Sequence, residues 1–361
     1  FTFASSYIFT LNIGAMALLL ATYLLCVRAF ETGSKKLAFG AGASTLLLAN
    51  IHTYDVFPLL LALTTWAIFQ FKTPAESTPR ARWLFLPCVY IGAAIPVLYQ
   101  LFVFRGSEEF RIKALTKTLA PPLLDVLISY GPLFLFAVAG GVLAWRETKA
   151  RLPLLWAISS LICIYLPVSF ARKMIEGLHL PLCFLAAIGI VALLSKLQSR
   201  NFRRLAAAGV LAVLSLSSFQ FVAWSLNNAQ DNNFSRAGVL MPPLYLSSGD
   251  SSALQFLKTL PKGKVVLSLP FVGNYVPRES GQTAFIGHWA ETLNFQTKIG
   301  ETVNFYNGKM TKSQARDWLR KNHINYVLIG SYETQLNARL PLELPISHAE
   351  NGTTTYAVPF D

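Results

Sequence analysis

The chain has 361 residues, of which 53% are hydrophobic and only 14% charged, with a formal net charge of +13. A composition this apolar excludes an ordinary soluble enzyme and fits a polytopic membrane protein. The basic excess is no sign of nucleic acid binding either: residues 1–227 carry +11 of it, mostly in short loops, and the remainder only +2.

Eight apolar stretches follow one another, at about 7–28, 37–52, 54–71, 83–104, 122–145, 152–170, 177–195 and 205–226. Most approach the ~20 residues that a helix needs to cross the hydrocarbon core. The second and third are short and nearly contiguous, so they read as a tight hairpin or a pair of broken helices. Between stretches, the loops at 28–36, 72–82, 146–151 and 196–204 carry thirteen Lys and Arg residues, and the intervening loops only six. The positive-inside bias assigns the thirteen to the cytoplasm. The expected localisation is therefore the cytoplasmic (inner) membrane, multi-pass, with both the start of the chain and its C-terminal region outside. Residue 1 is Phe and no basic leader precedes the first stretch, so the pattern reads as the C-terminal part of a longer protein. The four cysteines all lie inside predicted spans and form no CxxC pair, which gives neither a disulfide framework nor a zinc site.

Asn227–Asn233 is a polar link without apolar period. It divides the chain into a transmembrane helical domain, 1–227, and an extracytoplasmic α/β domain, 228–361. The expected fold is thus an α-helical polytopic membrane domain of about eight transmembrane helices followed by a small exported α/β domain. In the latter, Ser252–Leu260 reads as a helix capped by Asp250 or Ser251, and Thr311–Asn322 as a helix capped by Thr311. Phe295–Tyr306 also reads as helical. Lys264–Leu269, Thr283–Gly287, Ile324–Gly330 and Thr353–Val358 read as strands, and their order predicts a partly parallel sheet.

Four constellations can carry chemistry. Asn50-Ile51-His52-Thr53-Tyr54-Asp55 sets polar groups between two apolar runs, where Asp55 can serve as a general base or simply cap the following helix. Arg105, Glu109 and Arg111 belong to an outer loop that suits a helix lying on the membrane surface. Arg172 and Lys173 run against the positive-inside bias, which phosphate binding would explain; pairing with Glu176, Glu108 or Asp55 is the alternative. Glu176 and His179 follow directly. In the C-terminal domain His288, Trp289 and Glu291 follow a strand, a usual place for ligand groups, or are structural groups of a loop. No GxGxxG, P-loop, HExxH, GxSxG or DxD motif occurs.

The His52-Thr53-Tyr54-Asp55 hairpin, the segment Arg172 to Pro181, and the motifs Gly287-His288-Trp289-Ala290-Glu291-Thr292 and Tyr326 to Glu333 together resemble a group of large bacterial membrane proteins. That group is similar to the GT-C glycosyltransferases, which include protein mannosyltransferases and the lipid A aminoarabinose transferase. The resemblance implies a polyprenyl-phosphate-linked sugar as donor, chemistry at the outer membrane face, and a glycan, lipid or protein acceptor. It also implies a catalytic acid in a first outer loop. Phe1–Tyr7 holds none, so that acid is expected upstream of residue 1, or Asp55 takes its place with His52 beside it. Arg172, Lys173, Glu176, His179, Arg105, Glu109, Arg111, His288, Trp289 and Glu291 are the expected substrate-binding residues. The reading names no definite cofactor; a divalent cation beside Asp55 and His52 is compatible with it, and its ligands are not identifiable. The partners expected are the donor lipid, the bilayer and the acceptor, and no nucleic acid. A non-catalytic transporter or an envelope scaffold is the alternative. A transporter would place ionisable residues deep within the spans, and almost none are there.

Overall fold

The computed structural model describes residues 10–71, 80–114, 117–147, 150–232 and 243–359. Lys72 and Lys149 of the basic loops lie outside the described residues, as does Asn233 of the polar link. The chain divides into two compact units, Phe1–Phe221 and Val222–Asp361. One long helix, Arg200–Gln230, runs through residues 221 and 222 and through the first residues of the polar link.

Each of the eight apolar stretches is helical in whole or part. In order these helices are α1 (Thr10–Thr32), α2 (Lys35–Ile51), α3 (Val56–Phe71), α4 (Phe85–Gly106), the short α5 (Glu108–Ala114), α6 (Leu123–Tyr130), α7 (Pro132–Arg146), α8 (Arg151–Ile164), α9 (His179–Ser195) and α10 (Arg200–Gln230). Among the described residues five helical stretches are long and apolar enough to cross a membrane, or six if α6 and α7 form one bent span. The count differs from eight for local reasons. Gly131 adopts φ 51° and Pro132 starts a new helix, so the fifth stretch breaks with a bend of 94°. The sixth stretch gives only the 14-residue α8, which ends before Pro167. The second gives the 17-residue α2, which ends as His52 turns the chain.

The packing is that of a lipid-facing bundle. Ile91, Ile95, Leu98 and Phe102 of α4 recur at helical spacing and are all exposed, while Val89, Ala93 and Pro96 on its other face are buried. Helix–helix contact relies on small residues, which let backbones approach where burial of apolar area against lipid offers little gain. A Cβ at Gly92 would lie 2.3 Å from the Gly42 carbonyl oxygen, so α2 and α4 touch backbone to backbone. A Cβ at Gly140 would lie 1.8 Å from the Leu185 carbonyl oxygen, which joins α7 to α9 in the same way.

The second unit holds a five-stranded sheet of order β2-β1-β3-β5-β4, with β1 at Val265–Leu267, β2 at Thr283–Ala284, β3 at Ile324–Ile329, β4 at Ile346–Glu350 and β5 at Thr353–Ala357. β1 pairs in parallel with β2 and β3, and β5 pairs antiparallel with β3 and β4. Helices α11 (Ser248–Thr259), α12 (Phe295–Tyr306), α13 (Lys312–Lys321) and the short α14 (Ser331–Gln335) accompany it. Thr311 caps α13 in a full capping box with Gln314. The cap of α11 is Ser247 rather than Asp250 or Ser251. The Asp250 carboxylate is occupied elsewhere: it accepts the Ser331 N–H, the Ser331 hydroxyl and the Thr353 hydroxyl. Glu333 is fully buried and accepts the N–H groups of Leu269 (2.5 Å) and Gly330 (3.0 Å), tying together the chain just beyond β1 and β3. Burial pushes the Glu333 carboxyl up to about 7, against the downward pull of those two N–H groups.

Candidate functional site

The site begins where α2 stops. The His52 N–H still reaches the Leu48 carbonyl, at 2.7 Å, but its φ of −145° leaves the helix, and Thr53–Asp55 forms one 3₁₀ turn before α3. Thr53 steadies that turn from both sides. Its hydroxyl donates to the Ala49 carbonyl at 2.7 Å and accepts from Gln100 Nε2 at 2.6 Å, across from α4.

In this turn the His52 Nδ1–H donates to Asp55 Oδ2 at 2.9 Å. An ionised carboxylate only accepts, so the bond sets the Nδ1–H tautomer and leaves Nε2 as the free lone pair. The Asp55 carboxylate therefore does not cap α3. Its second oxygen, Oδ1, is buried and has no hydrogen-bond partner among the described residues. Asp55 is fully buried, whereas the His52 side chain retains 15% exposure, so His52 is the outward member of the pair.

A second segment meets this turn. After α8 the chain runs irregularly and then forms a 3₁₀ stretch, Ala171–Leu178. Thr118 holds it: the Thr118 N–H donates to the Ser169 carbonyl at 2.6 Å, and the Arg172 N–H donates to the Thr118 carbonyl at 3.0 Å. Glu176 then points at the histidine, with Oε2 3.9 Å from His52 Nε2, while Oε1 accepts from Asn12 Nδ2 at 3.0 Å. Lys173 reaches Tyr54, donating to its hydroxyl at 3.2 Å and lying 4.6 Å from its ring centroid. The Tyr54 ring in turn packs against His52 (5.7 Å) and Phe170 (5.1 Å). Gly177 lies directly against the buried acid: a Cβ there would be 4.0 Å from Asp55 Oδ1 and 3.8 Å from Trp156 Nε1.

Two of the four sequence constellations thus come together, through His52, Tyr54 and Asp55 on one side and Lys173 and Glu176 on the other. Arg172 stands exposed beside them without an ion pair among the described residues. His179 departs from the expectation. Its Nε2 lies 3.2 Å from Cys183 Sγ and its ring stacks on Tyr130, because as the first residue of α9 it is carried onto that helix's own i+4 face. Arg105, Glu109 and Arg111 are exposed at the end of α4 and on α5, and no hydrogen bond or ion pair joins them to the cluster among the described residues. The Ser107 hydroxyl donates to Glu109, and this bond together with Glu109's own backbone holds its carboxyl below the usual range. In the second unit His288, Trp289 and Glu291 form an exposed turn after β2. The His288 carbonyl accepts the N–H groups of Glu291 and Thr292, and His288 Nδ1 accepts that of Ala290.

Asn12, Gln100 and Trp156 belong to the cluster and were not anticipated. Each is a single polar-capable side chain within an apolar run, where one amide or indole is easily absorbed into the helix pattern. Among the described residues no group of three or more His, Cys, Asp or Glu side chains is disposed to hold a metal ion. His52 Nδ1 is committed to Asp55.

No protein-family model matches the chain, and no curated protein matches it. Solved structures of the oligosaccharyltransferase of Archaeoglobus fulgidus are similar in part. The apo form gives a TM-score of 0.46 at 14% identity over 89% of this chain and 52% of that one. A form tethered with an acceptor peptide gives 0.45 at 14% over 87% and 50%. A complex with an inhibitory peptide and a dolichol-phosphate gives 0.42 at 15% over 88% and 51%. The chain spans about half the length of these structures, and at such scores the likeness assigns no activity by itself.

Proposed function

We propose that the chain belongs to a glycosyltransferase-like membrane protein that moves a sugar from a polyprenyl-phosphate donor to a glycan, lipid or protein acceptor. The observation that carries this reading is the meeting of a His–Asp pair, a second carboxylate and a lysine where two spans begin. Acid–base groups and a phosphate-binding cation are what sugar transfer from a lipid phosphate requires. The basic loops argue, by charge bias, that this end faces away from the cytoplasm.

In the proposed step His52 Nε2 takes the proton of the acceptor group as its oxygen or nitrogen attacks the sugar C1. The bond from C1 to the phosphate oxygen breaks and the lipid phosphate leaves with the electron pair. Asp55 holds the imidazole in register and stabilises the imidazolium, and Glu176 adds negative charge on the Nε2 side. Lys173 and Arg172 face the departing phosphate, one as a point charge on the Tyr54 ring and the other as a forked donor.

The test is transfer of radiolabelled sugar from polyprenyl-phosphate donors in membranes bearing the full-length protein. Transfer that collapses in His52→Gln and in the Arg172→Ala, Lys173→Ala double variant supports the reading. Undiminished transfer in variants that insert and fold normally overturns it, and absence of transfer from every donor by the wild type turns the reading to a transporter or scaffold.

A further inference from the structure

A second feature of the first unit runs along α7 to the helix ends opposite the polar cluster. Helices α7, α8 and α9 enclose a groove of about 560 Å³, lined by apolar side chains except for Arg146 at one end. Phe134 and Arg146 mark its limits along α7. Twelve residues at ~1.5 Å rise give a length of about 18 Å, close to the depth of one leaflet, about half of a ~30 Å hydrocarbon core. Its floor exists because of small residues: Ala137 and Ala157 are buried there, and a Cβ at Gly141 would already lie 3.2 Å from Leu154 Cδ1.

The charged end is built rather than incidental. Arg151 Nε donates to the Trp145 carbonyl at 3.0 Å, and its guanidinium lies 5.7 Å from the Trp145 ring and 5.9 Å from the Phe69 ring. Trp145 itself lines the groove. Arg151 is thus clamped beside Arg146, and no carboxylate pairs with either among the described residues. Two guanidinium groups at the mouth of a leaflet-deep apolar slot match one kind of ligand: a lipid with an anionic headgroup and an extended chain.

We infer that this groove is a binding site for one acyl chain of an anionic phospholipid of the leaflet facing the basic loops, with its headgroup phosphate on Arg146 and Arg151. The site is separate from the His52–Asp55 cluster and does not depend on the activity proposed for it. A zwitterionic phospholipid fills the slot with its chain and carries the same phosphate, but its ammonium group is repelled by the arginines and offsets the gain.

Native mass spectrometry of the full-length protein in detergent, titrated with phosphatidylglycerol or phosphatidylcholine, tests this directly. Wild type should retain one phosphatidylglycerol with about thirtyfold preference over phosphatidylcholine, the factor that about 1 kcal/mol for each of two basic residues at a membrane surface implies. Arg146→Gln should cut the preference to about fivefold, the share of the remaining arginine, and Arg146→Gln with Arg151→Gln should erase it, with phosphatidylcholine retention unchanged. Val138→Trp narrows the slot from its half-exposed lip without disturbing the core, and should reduce retention of both lipids. Equal retention of the two lipids by wild type, a preference that survives Arg146→Gln combined with Arg151→Gln, or retention unaffected by Val138→Trp would each overturn the inference. The last of these would leave the groove to a protein helix.

Discussion

Each unit holds a pair of carboxylates with buried oxygens, and the two pairs are treated differently. In the second unit every oxygen of Asp250 and Glu333 has a donor: backbone N–H groups at Leu269, Gly330 and Ser331 and the hydroxyls of Ser331 and Thr353. In the first, Asp55 Oδ1 and Glu176 Oε2 are buried with no hydrogen-bond partner. Buried polar atoms are nearly always satisfied, since an unmet one costs about 1–3 kcal/mol. A pair that ties loops to strands and a pair held with open valences a few ångströms from a histidine answer to different demands. The former is architecture; the latter is the signature expected of groups that complete their bonding only when a ligand or proton arrives.

Substitutions can break or sharpen that contrast. The largest effect is expected for Asp55→Asn, which keeps the shape but removes the charge behind His52. Sugar transfer in membranes should fall by about 10²–10⁴-fold, the usual worth of acid–base catalysis, with the protein still inserted and folded; a tenfold loss or less would put Asp55 among the architectural carboxylates. Next comes pH. The folded-state value of about 7 for Glu333 lies above the ordinary value of 4.5, so the folded unit holds that proton more tightly than the unfolded chain. The stability this adds is fully present below pH 4.5 and is lost as pH rises to 7, by roughly 3 kcal/mol. Thermal unfolding of the second unit's signal should fall across that window and flatten in Glu333→Gln. Asp250→Asn should cost about 1 kcal/mol, because one oxygen still accepts and the Ser331 hydroxyl can turn to accept from the new amide; thermal melts of the full chain measure it. Trp289→Ala, at a turn where the ring is 50% exposed, should change stability by less than ~0.5 kcal/mol. A larger loss in melting would show that the ring is a packing element rather than a free face.

Much of this was legible because the polar residues interrupt apolar runs. His52 to Asp55 and Arg172 to Glu176 stand out against their surroundings, and their convergence follows once both are assigned to the same membrane face. The alternation of β1 and β3 and the Thr311 cap were equally plain. β4 was missed because an edge strand with five residues mostly in solvent, Ile346–Glu350, carries no buried alternation. The break at Gly131 was written in the sequence as Gly-Pro inside a predicted span, a pair that rarely continues a helix. Asn12 and Gln100 were not legible. One amide in an apolar helix has no pattern of its own, and only the tertiary fold brings it to Glu176 or Thr53.

The backbone contact between Gly42 and Gly92 has a mechanical consequence for the cluster. Helices that touch backbone to backbone at such a point resist sliding, because a shift of one ~5.4 Å turn drives a side chain into the partner's backbone. The turn bearing His52 and Asp55 is therefore indexed to α4, like a tooth in a ratchet, with Gln100 fixed at its height. The facing segment, Ala171–Leu178, has no backbone-to-backbone contact at its glycine among the described residues; it is held by the Thr118 backbone bonds, the Asn12–Glu176 and Lys173–Tyr54 bonds and its buried apolar side chains. Were the two faces to part, the compliant side would be the one carrying Lys173 and Glu176, and the rigid side would keep the imidazole aimed while its partner carboxylate swings away.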